Sequence, residues 1–197
     1  LVTLSKSQKI AGCVLANIGA ETVSIAVFEN NIPVSLEVFP IGSTDITNDI
    51  ALGLKVPLEE AEQIKIGAIT GASYPRKKLE EIVSARLSDV FELIEAHLKK
   101  IGRNGLLPAG IILTGAGSGM SGIEEMAKNA LRLPSRVALL NLGISDKQGY
   151  KDSIWAVAYG LCILGMHADP DLPIDTSSRI FENSKKTLIA WLKQFLP

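Results

Sequence analysis

GIILTGAGSGMSGIEEMAKNA, residues Gly110–Ala130, is the stretch whose reading decides the fold. Ile111-Ile112-Leu113 reads as a buried strand, Thr114–Gly122 as a glycine-rich turn, and the remainder as an amphipathic helix. Gly115, Gly117 and Gly119 leave the main chain bare, so that a ligand can approach it closely. A helix that starts after such a turn directs the positive end of its dipole back at it, which suits an anion or the polar edge of a nucleotide. Gly117–Gly122 also fits G-x-G-x-x-G, the dinucleotide fingerprint, which requires an acidic residue about 20 positions further on. Asn141-Leu142-Gly143 occupies that region, no acid stands between Glu125 and Asp146, and no second mononucleotide half follows. Taken alone, a tight strand-to-helix connection that binds nothing accounts for the glycines as well.

Composition sets the outer limits. A chain of 197 residues has room for one large domain or two small ones and can bury a proper core. With 47% apolar and 21% charged residues it reads as a folded, soluble-type chain, not a disordered one. The net charge of −1 argues against a dominant nucleic-acid surface. Cys13 and Cys162 stand in separate apolar segments and are expected to be reduced core residues of a cytosolic protein. No apolar run reaches the roughly 18–20 residues needed to span a bilayer, and no signal peptide is evident. The chain opens Leu1-Val2-Thr3 without methionine, as the middle of something longer would.

Outward from the glycine turn, the N-terminal third predicts strands. Leu1–Ala11 reads as the end of a helix whose body lies upstream. Gly12–Ile18 is a continuous apolar run, Thr22–Glu29 and Pro33–Ile41 alternate, and Gly19-Ala20-Glu21 and Asn30-Asn31 supply hairpin turns, giving a three-strand meander. After Gly42 the pattern becomes helical. Ser43-Thr44-Asp45 can cap a helix over Ile46–Leu54, Pro57 opens one over Leu58–Lys65, and Arg76–Ile101 carries apolar residues at helical spacing. Ser135–Leu140 predicts a further strand that completes a βαβ-like unit. Ser153–Met166 predicts an apolar helix whose small residues Ala156, Ala158, Gly160 and Gly165 fit simple core packing.

Residues 167–182, rich in Asp and Pro, read as a linker. Asn183–Leu196 then places Leu188, Ile189, Trp191, Leu192, Phe195 and Leu196 on one helical face, with Lys185, Lys186 and Lys193 flanking or opposing it. Such a helix is suited to lie in a membrane interface, or else to dock back on its own domain. A single short helix binds weakly, so firm anchoring needs many copies held together.

Taken together, these pieces resemble the second lobe of the actin-like ATPase (ribonuclease H-like) fold: an α/β mixed sheet with an inserted helical subdomain. Within that superfamily the chain is similar to the bacterial cell-division family FtsA. The resemblance rests on Asn17–Thr22, on Pro40–Ala51 (PIGSTDITNDIA, the most specific part), on Leu58–Lys65, on Leu107–Gly122 and on the amphipathic C-terminus. It implies a core subdomain in two parts (residues 12–42 and 107–166), the insertion between them (43–106), residues 1–11 ending a first-lobe helix, and a membrane-targeting helix at 183–197.

The resemblance also implies a nucleotide site for ATP, with Mg carried by the nucleotide. Asn17, Gly19 and Thr22 would face the phosphates. Glu62 and Lys65, three apart and so on one helix face, would contact ribose and base; Gly115, Ala116, Gly117 and Ser118 would line the adenosine pocket. Without the resemblance, Glu62 and Lys65 would read as a solvated helix face. Asn17 stands where the family commonly carries Asp, and Glu21 brings negative charge toward the phosphates. A neutral amide is a poor partner for a cation and no base, so the implied protein is a nucleotide-binding scaffold with at most weak ATPase and no catalytic residue of its own here. The first phosphate loop belongs to the lobe preceding Leu1.

The implied partners are the C-terminal tail of FtsZ on Lys78, Ser84 and Arg86, membrane lipid on Lys185, Lys186, Leu188, Trp191, Leu192, Lys193 and Phe195, and further copies of the chain in polymers, with no nucleic acid. Arg86 could clamp a carboxylate bidentately, with Lys78 as a looser second charge. On a helix that also carries Glu80 and Glu81, both read equally as solvent-facing cations. The implied place is the cytoplasmic face of the membrane, peripherally, at the division site. Two rivals share the fold: an actin-like scaffold of a pilus or secretion assembly, which needs no basic terminal helix, and a sugar-kinase-type enzyme, which needs a substrate acid or base in the first lobe.

Overall fold

The computed structural model describes residues 2–68, 74–139 and 153–167. Five strands form one sheet in the order β3-β2-β1-β4-β5: β1 Cys13–Ile18, β2 Val23–Glu29, β3 Ile32–Phe39, β4 Ile111–Thr114 and β5 Ser135–Val137. β1, β2 and β3 are an antiparallel meander, and β4 joins β1 in parallel, with β5 parallel to β4. Asn30 and Asn31 turn the second hairpin with φ of 51° and 66°, the left-handed pair that matches strand twist. The register Asn17↔Thr114 sets the C-terminal ends of β1 and β4 side by side.

One face of the sheet carries the main core. Val14, Ala16 and Ile18 of β1 and Val23, Ile25 and Val27 of β2 point to it by strand alternation. Against them pack α2 (Ser43–Leu54) through Ile46 and Ile50, α3 (Leu58–Lys65) through Ala61 and Ile64, and α4 (Arg76–Lys100) through Leu87, Val90, Phe91, Ile94 and Leu98. α5 (Ile123–Leu131) adds Ile123, Ala127 and Leu131, spaced four apart on one stripe. Each fully buried Leu or Ile contributes about 1.5–3 kcal/mol, so this shared cluster binds the inserted helices to the sheet. β4 is buried at all four positions because Cys13, Leu4 and Ala138 cover Ile112 on the other face. The edge strand β3 is tied to α4 by His97, whose Nε2 lies 2.8 Å from Ser35 Oγ and Nδ1 3.2 Å from Glu37 Oε2.

Four expectations are corrected. The first helix, α1, is Lys6–Ala11 and starts within the chain: Ser5 Oγ accepts from the Gln8 amide, and Gln8 Oε1 from the Ser5 amide. α2 starts at Ser43, and Asp45 caps it from inside by accepting the Gly42 amide at 2.8 Å. Cys13 is buried, and burial pushes its thiol up to about 11, but Cys162 is exposed. Finally, the expected helix from Ser153 begins as a 3-10 turn, Ser153–Trp155, and continues as α6, Ala156–His167, on which only Ala156 of the four small residues is buried. A Cβ on Gly160 or Gly165 would meet nothing within 4 Å.

The chain divides into two compact units, Leu1–Leu161 and Cys162–Pro197. Sheet and α1–α5 belong to the first; of the second, only Cys162–His167 are among the described residues. The linker after His167, the amphipathic segment 183–197 and all seven of its lipid-facing positions lie outside the described residues. Among the described residues, no helix is long and apolar enough to cross a membrane.

Candidate functional site

Two turns meet where β1 and β4 end. Gly115, at φ 87°, carries the chain off β4, and a Cβ there would lie 2.4 Å from Asn17 Oδ1 and 2.5 Å from the Ile18 carbonyl. A Cβ on Gly117 would strike Ile18 Cγ2 at 2.4 Å. Glycine is therefore required for the 3-10 turn Ala116–Gly119 to fold down onto the end of β1. Ala116 and Gly119 face solvent, whereas Gly117 and Ser118 are buried. The structure thus brings Asn17 and Gly115–Ser118 together at the carboxyl ends of adjacent parallel strands, where β1 also pairs with an antiparallel neighbour. The strand order reverses here, β1 leading to β2 and β3 on one side and β4 to β5 on the other, and such switch points are where open α/β sheets form ligand crevices.

Ser118, expected among the adenosine contacts, has its side chain turned inward. Its hydroxyl lies 2.7 Å from the Gly115 carbonyl and 2.7 Å from Ser153 Oγ. The Gly115 amide and Thr114 hydroxyl both donate to the Ser153 carbonyl. Ser118 and Ser153 therefore lock the turn; neither hydroxyl faces outward.

On the β1–β2 turn, the Gly19 amide donates to the Thr22 carbonyl at 2.9 Å, so it is occupied by the hairpin and not open to a phosphate. Ala20, Glu21 and Thr22 are exposed at the tip. The start of α2 clamps this turn: the Ser43 amide donates to the Gly19 carbonyl at 2.9 Å and the Thr44 amide to the Ala20 carbonyl at 2.8 Å. Helix N-termini leave such amides without intrahelical partners, and here the turn's carbonyls satisfy two of them.

Glu62 and Lys65 are not a solvated face. Lys65 is nearly buried, and its ammonium donates to Glu62 Oε2 at 2.7 Å, to Thr47 Oγ1 at 2.8 Å and to the Ser43 carbonyl at 3.1 Å. All three donors are committed. Thr47 Oγ1 in turn donates to Glu62 Oε2 at 2.6 Å. Burial pushes the Glu62 carboxyl up, but hydrogen bonds from Lys65 and Thr47 and the Lys65 charge outweigh it and hold the group below its ordinary value. Glu62 stays half-exposed, and the bonds from Lys65 and Thr47 both fall on its Oε2. Lys65 acts as the brace that positions it. The path Gly19 carbonyl, Ser43, Lys65, Glu62 is continuous, so the loop and this pair form one assembly.

The three residues expected to hold a peptide are not brought together. At 3.6 residues per turn, Ser84 lies roughly 160° around α4 from Arg86, and Lys78 about 80°. Lys78 and Ser84 are exposed. Arg86 does clamp a carboxylate bidentately, but the carboxylate is Asp49 on α2: Nε to Oδ2 is 2.7 Å and Nη2 to Oδ1 3.0 Å. Arg86 Nη1 also lies 3.3 Å from Asp89 Oδ2.

Sequence reasoning missed Ser43, Thr47 and Asp49 as site residues. Their signal was spacing: Ser43 and Thr47, and Asp45 and Asp49, are each one helical turn apart.

The sheet order, the crossover through the inserted helices and the paired turns define a lobe of the actin-like ATPase fold. A solved structure of MreB5 from Spiroplasma citri bound to ADP shares it, with a TM-score of 0.64 at 14% identity over 82% of this chain and 55% of that one. Residues 14–160 match the family model for cell division protein FtsA. The chain belongs to the FtsA family. It is 29% identical to the Pseudomonas aeruginosa cell division protein FtsA over 98% of this chain and 52% of the relative, and 32% identical to that of Bacillus subtilis over 74% and 38%. It spans about half the length, or less, of these relatives.

Proposed function

We propose that the chain is the nucleotide-facing second lobe of a cell-division adaptor. In this reading it binds ATP with magnesium, receives the C-terminal tail of FtsZ on the α2–α4 insertion, and attaches to the cytoplasmic face of the membrane through residues 183–197. The carrying observation is the close approach of the Gly115 turn to Asn17 and Ile18 at the end of β1, next to the exposed β1–β2 turn, in a chain of the FtsA family. The residues fit half of a nucleotide site: exposed backbone at Ala116 and Gly119 for the adenosine side, the exposed Ala20–Thr22 tip for phosphate, and the half-exposed Glu62 carboxylate for a ribose hydroxyl. Asn17 supplies no carboxylate, so magnesium would be held through the phosphates, and the nucleotide would act by favouring a closed, self-associating form. Polymers then multiply a weak membrane helix into a firm anchor.

The test is co-sedimentation with anionic phosphatidylglycerol vesicles of the chain and of a version ending at residue 182, each with a fluorescent FtsZ tail peptide. The expected result is vesicle binding by the intact chain only, with peptide carried down in that pellet. Equal pelleting of the two versions removes the anchor from the reading, and peptide left in the supernatant removes the tether.

A further inference from the structure

The bidentate pair between Asp49 and Arg86 has the geometry that recognises a partner's carboxylate, made within the chain. We propose that Asp49 is an internal occupant of this clamp, and that a peptide carboxylate binds Arg86 by displacing it; this rests on the reading above that the insertion receives the FtsZ tail.

Three observations support it. First, both partners are only part-buried, with side-chain exposures of 29% for Arg86 and 28% for Asp49, so the fork is reachable from solvent. Second, Nε and Nη2, the donors of one edge of the guanidinium, are occupied by Asp49, and Nη1 by Asp89. While Asp49 is in place the Nε–Nη2 edge is taken, and a carboxylate approaching the Nη1–Nη2 end meets Asp89, 3.3 Å from Nη1. Third, Asp45, Asp49 and Asp89 surround one arginine, so the closed cluster is net negative and repels an acidic ligand. Release of Asp49 is the step that frees the Nε–Nη2 edge and lowers the negative charge around it.

Opening need not undock α2. Its N-terminal amides hold the Gly19 and Ala20 carbonyls, Thr47 holds Lys65 and Glu62, and Ile46 and Ile50 stay in the core. The latch is then a rotation of two side chains, and loss of the Asp49 charge leaves the helix in place.

The experiment is fluorescence anisotropy of the labelled FtsZ tail peptide with the full chain, comparing the parent with Asp49→Asn, Asp89→Asn and Arg86→Gln. Asp49→Asn is expected to tighten binding about fivefold, the value of a part-exposed ion pair near 1 kcal/mol. Asp89→Asn, which changes net charge equally but leaves the fork closed, is expected to change affinity less than about twofold. Arg86→Gln is expected to lose binding. Unchanged or weaker binding by Asp49→Asn, with Arg86→Gln still losing it, overturns the latch and makes Asp49 a positioning residue. Unchanged binding by Arg86→Gln overturns instead the assignment of Arg86 to the peptide site. A second readout needs no variant: carbon and nitrogen NMR of the Asp49 carboxyl and Arg86 Nε in the parent during peptide titration. Both resonances are expected to shift toward saturation together, and an Asp49 carboxyl signal unmoved at peptide saturation overturns the displacement.

Discussion

Gly42→Ala is the most direct perturbation of the joint between α2 and the β1–β2 turn. Gly42 has an extended, unstrained backbone, with φ −153°, so any cost must come from space alone. A Cβ there would lie 2.2 Å from the Ala20 carbonyl oxygen and 2.5 and 2.7 Å from the Ala20 and Glu21 carbonyl carbons, all main-chain atoms with no rotamer to change. The helix start must retreat by roughly 1 Å to reach van der Waals separation. That retreat stretches the 2.9 and 2.8 Å bonds from Ser43 and Thr44 out of hydrogen-bonding range. Two lost bonds at about 1 kcal/mol each, with an overpacking strain of about 1–3 kcal/mol, outweigh the roughly 0.4–1 kcal/mol gained by restricting the unfolded chain. The net is about 3 kcal/mol, which for a chain of this size lowers the melting temperature by about 6–12 °C. Circular dichroism melts supply the main number, and amide hydrogen exchange at Ser43 and Thr44 supplies the location. Gly119→Ala is the control, since its Cβ would meet nothing within 4 Å. A melting temperature for Gly42→Ala within about 2 °C of the parent, with Ser43 and Thr44 still protected, would refute the clamp.

Gly115→Ala places a Cβ against Asn17 and Ile18 and forces a left-handed φ on an L-residue, so the urea midpoint should fall by an amount equivalent to about 3 kcal/mol; an unchanged midpoint would show that the two turns do not abut. The Glu62 carboxyl titrates lower in the folded chain, so its stabilisation is fully present above the unfolded value of about 4.3 and is lost as pH falls through the folded one. Urea unfolding of the parent and of Glu62→Gln from pH 7 to pH 3 should show a gap that closes on acidification. Because the carboxyl is half in solvent, that gap is on the order of 0.5 kcal/mol, and a gap independent of pH would remove the Lys65 and Thr47 bonds as its source.

Much of the fold was legible because local signals and tertiary placement agree. Alternation in Thr22–Glu29, the left-handed Asn30-Asn31 turn and the apolar stripe of α4 each specify an element whose burial then matches. What misled was chemistry whose partners are distant in sequence. Arg86 reads as a free clamp until Asp49, 37 residues earlier, is seen in its fork. Ser118 reads as lining of the adenosine pocket, but its hydroxyl is taken by Ser153 from 35 residues away. The Gly19 amide reads as a phosphate donor until Thr22 folds back on it. Residue type and spacing reveal which groups can form strong hydrogen bonds; they do not reveal which are already satisfied inside. The apolar residues of α6 fail for a different reason: hydrophobic periodicity shows that a helix is suited to burial but not what covers it.

The stretch PIGSTDITNDIA carries its specificity because one helix must satisfy three neighbours at once. Gly42 allows the close approach to Ala20, and Ser43 and Thr44 present amides to the β1–β2 turn. One turn later, Thr47 faces Lys65 and Glu62 from one side of the helix while Asp49 faces Arg86 from another. Ile46 and Ile50 fill the remaining stripe against the sheet. A helix held on three sides in this way, with Thr44, Asn48 and Leu52 left to solvent, is tied at once to the β1–β2 turn, to Glu62 and to Arg86, so a substitution that shifts it disturbs all three.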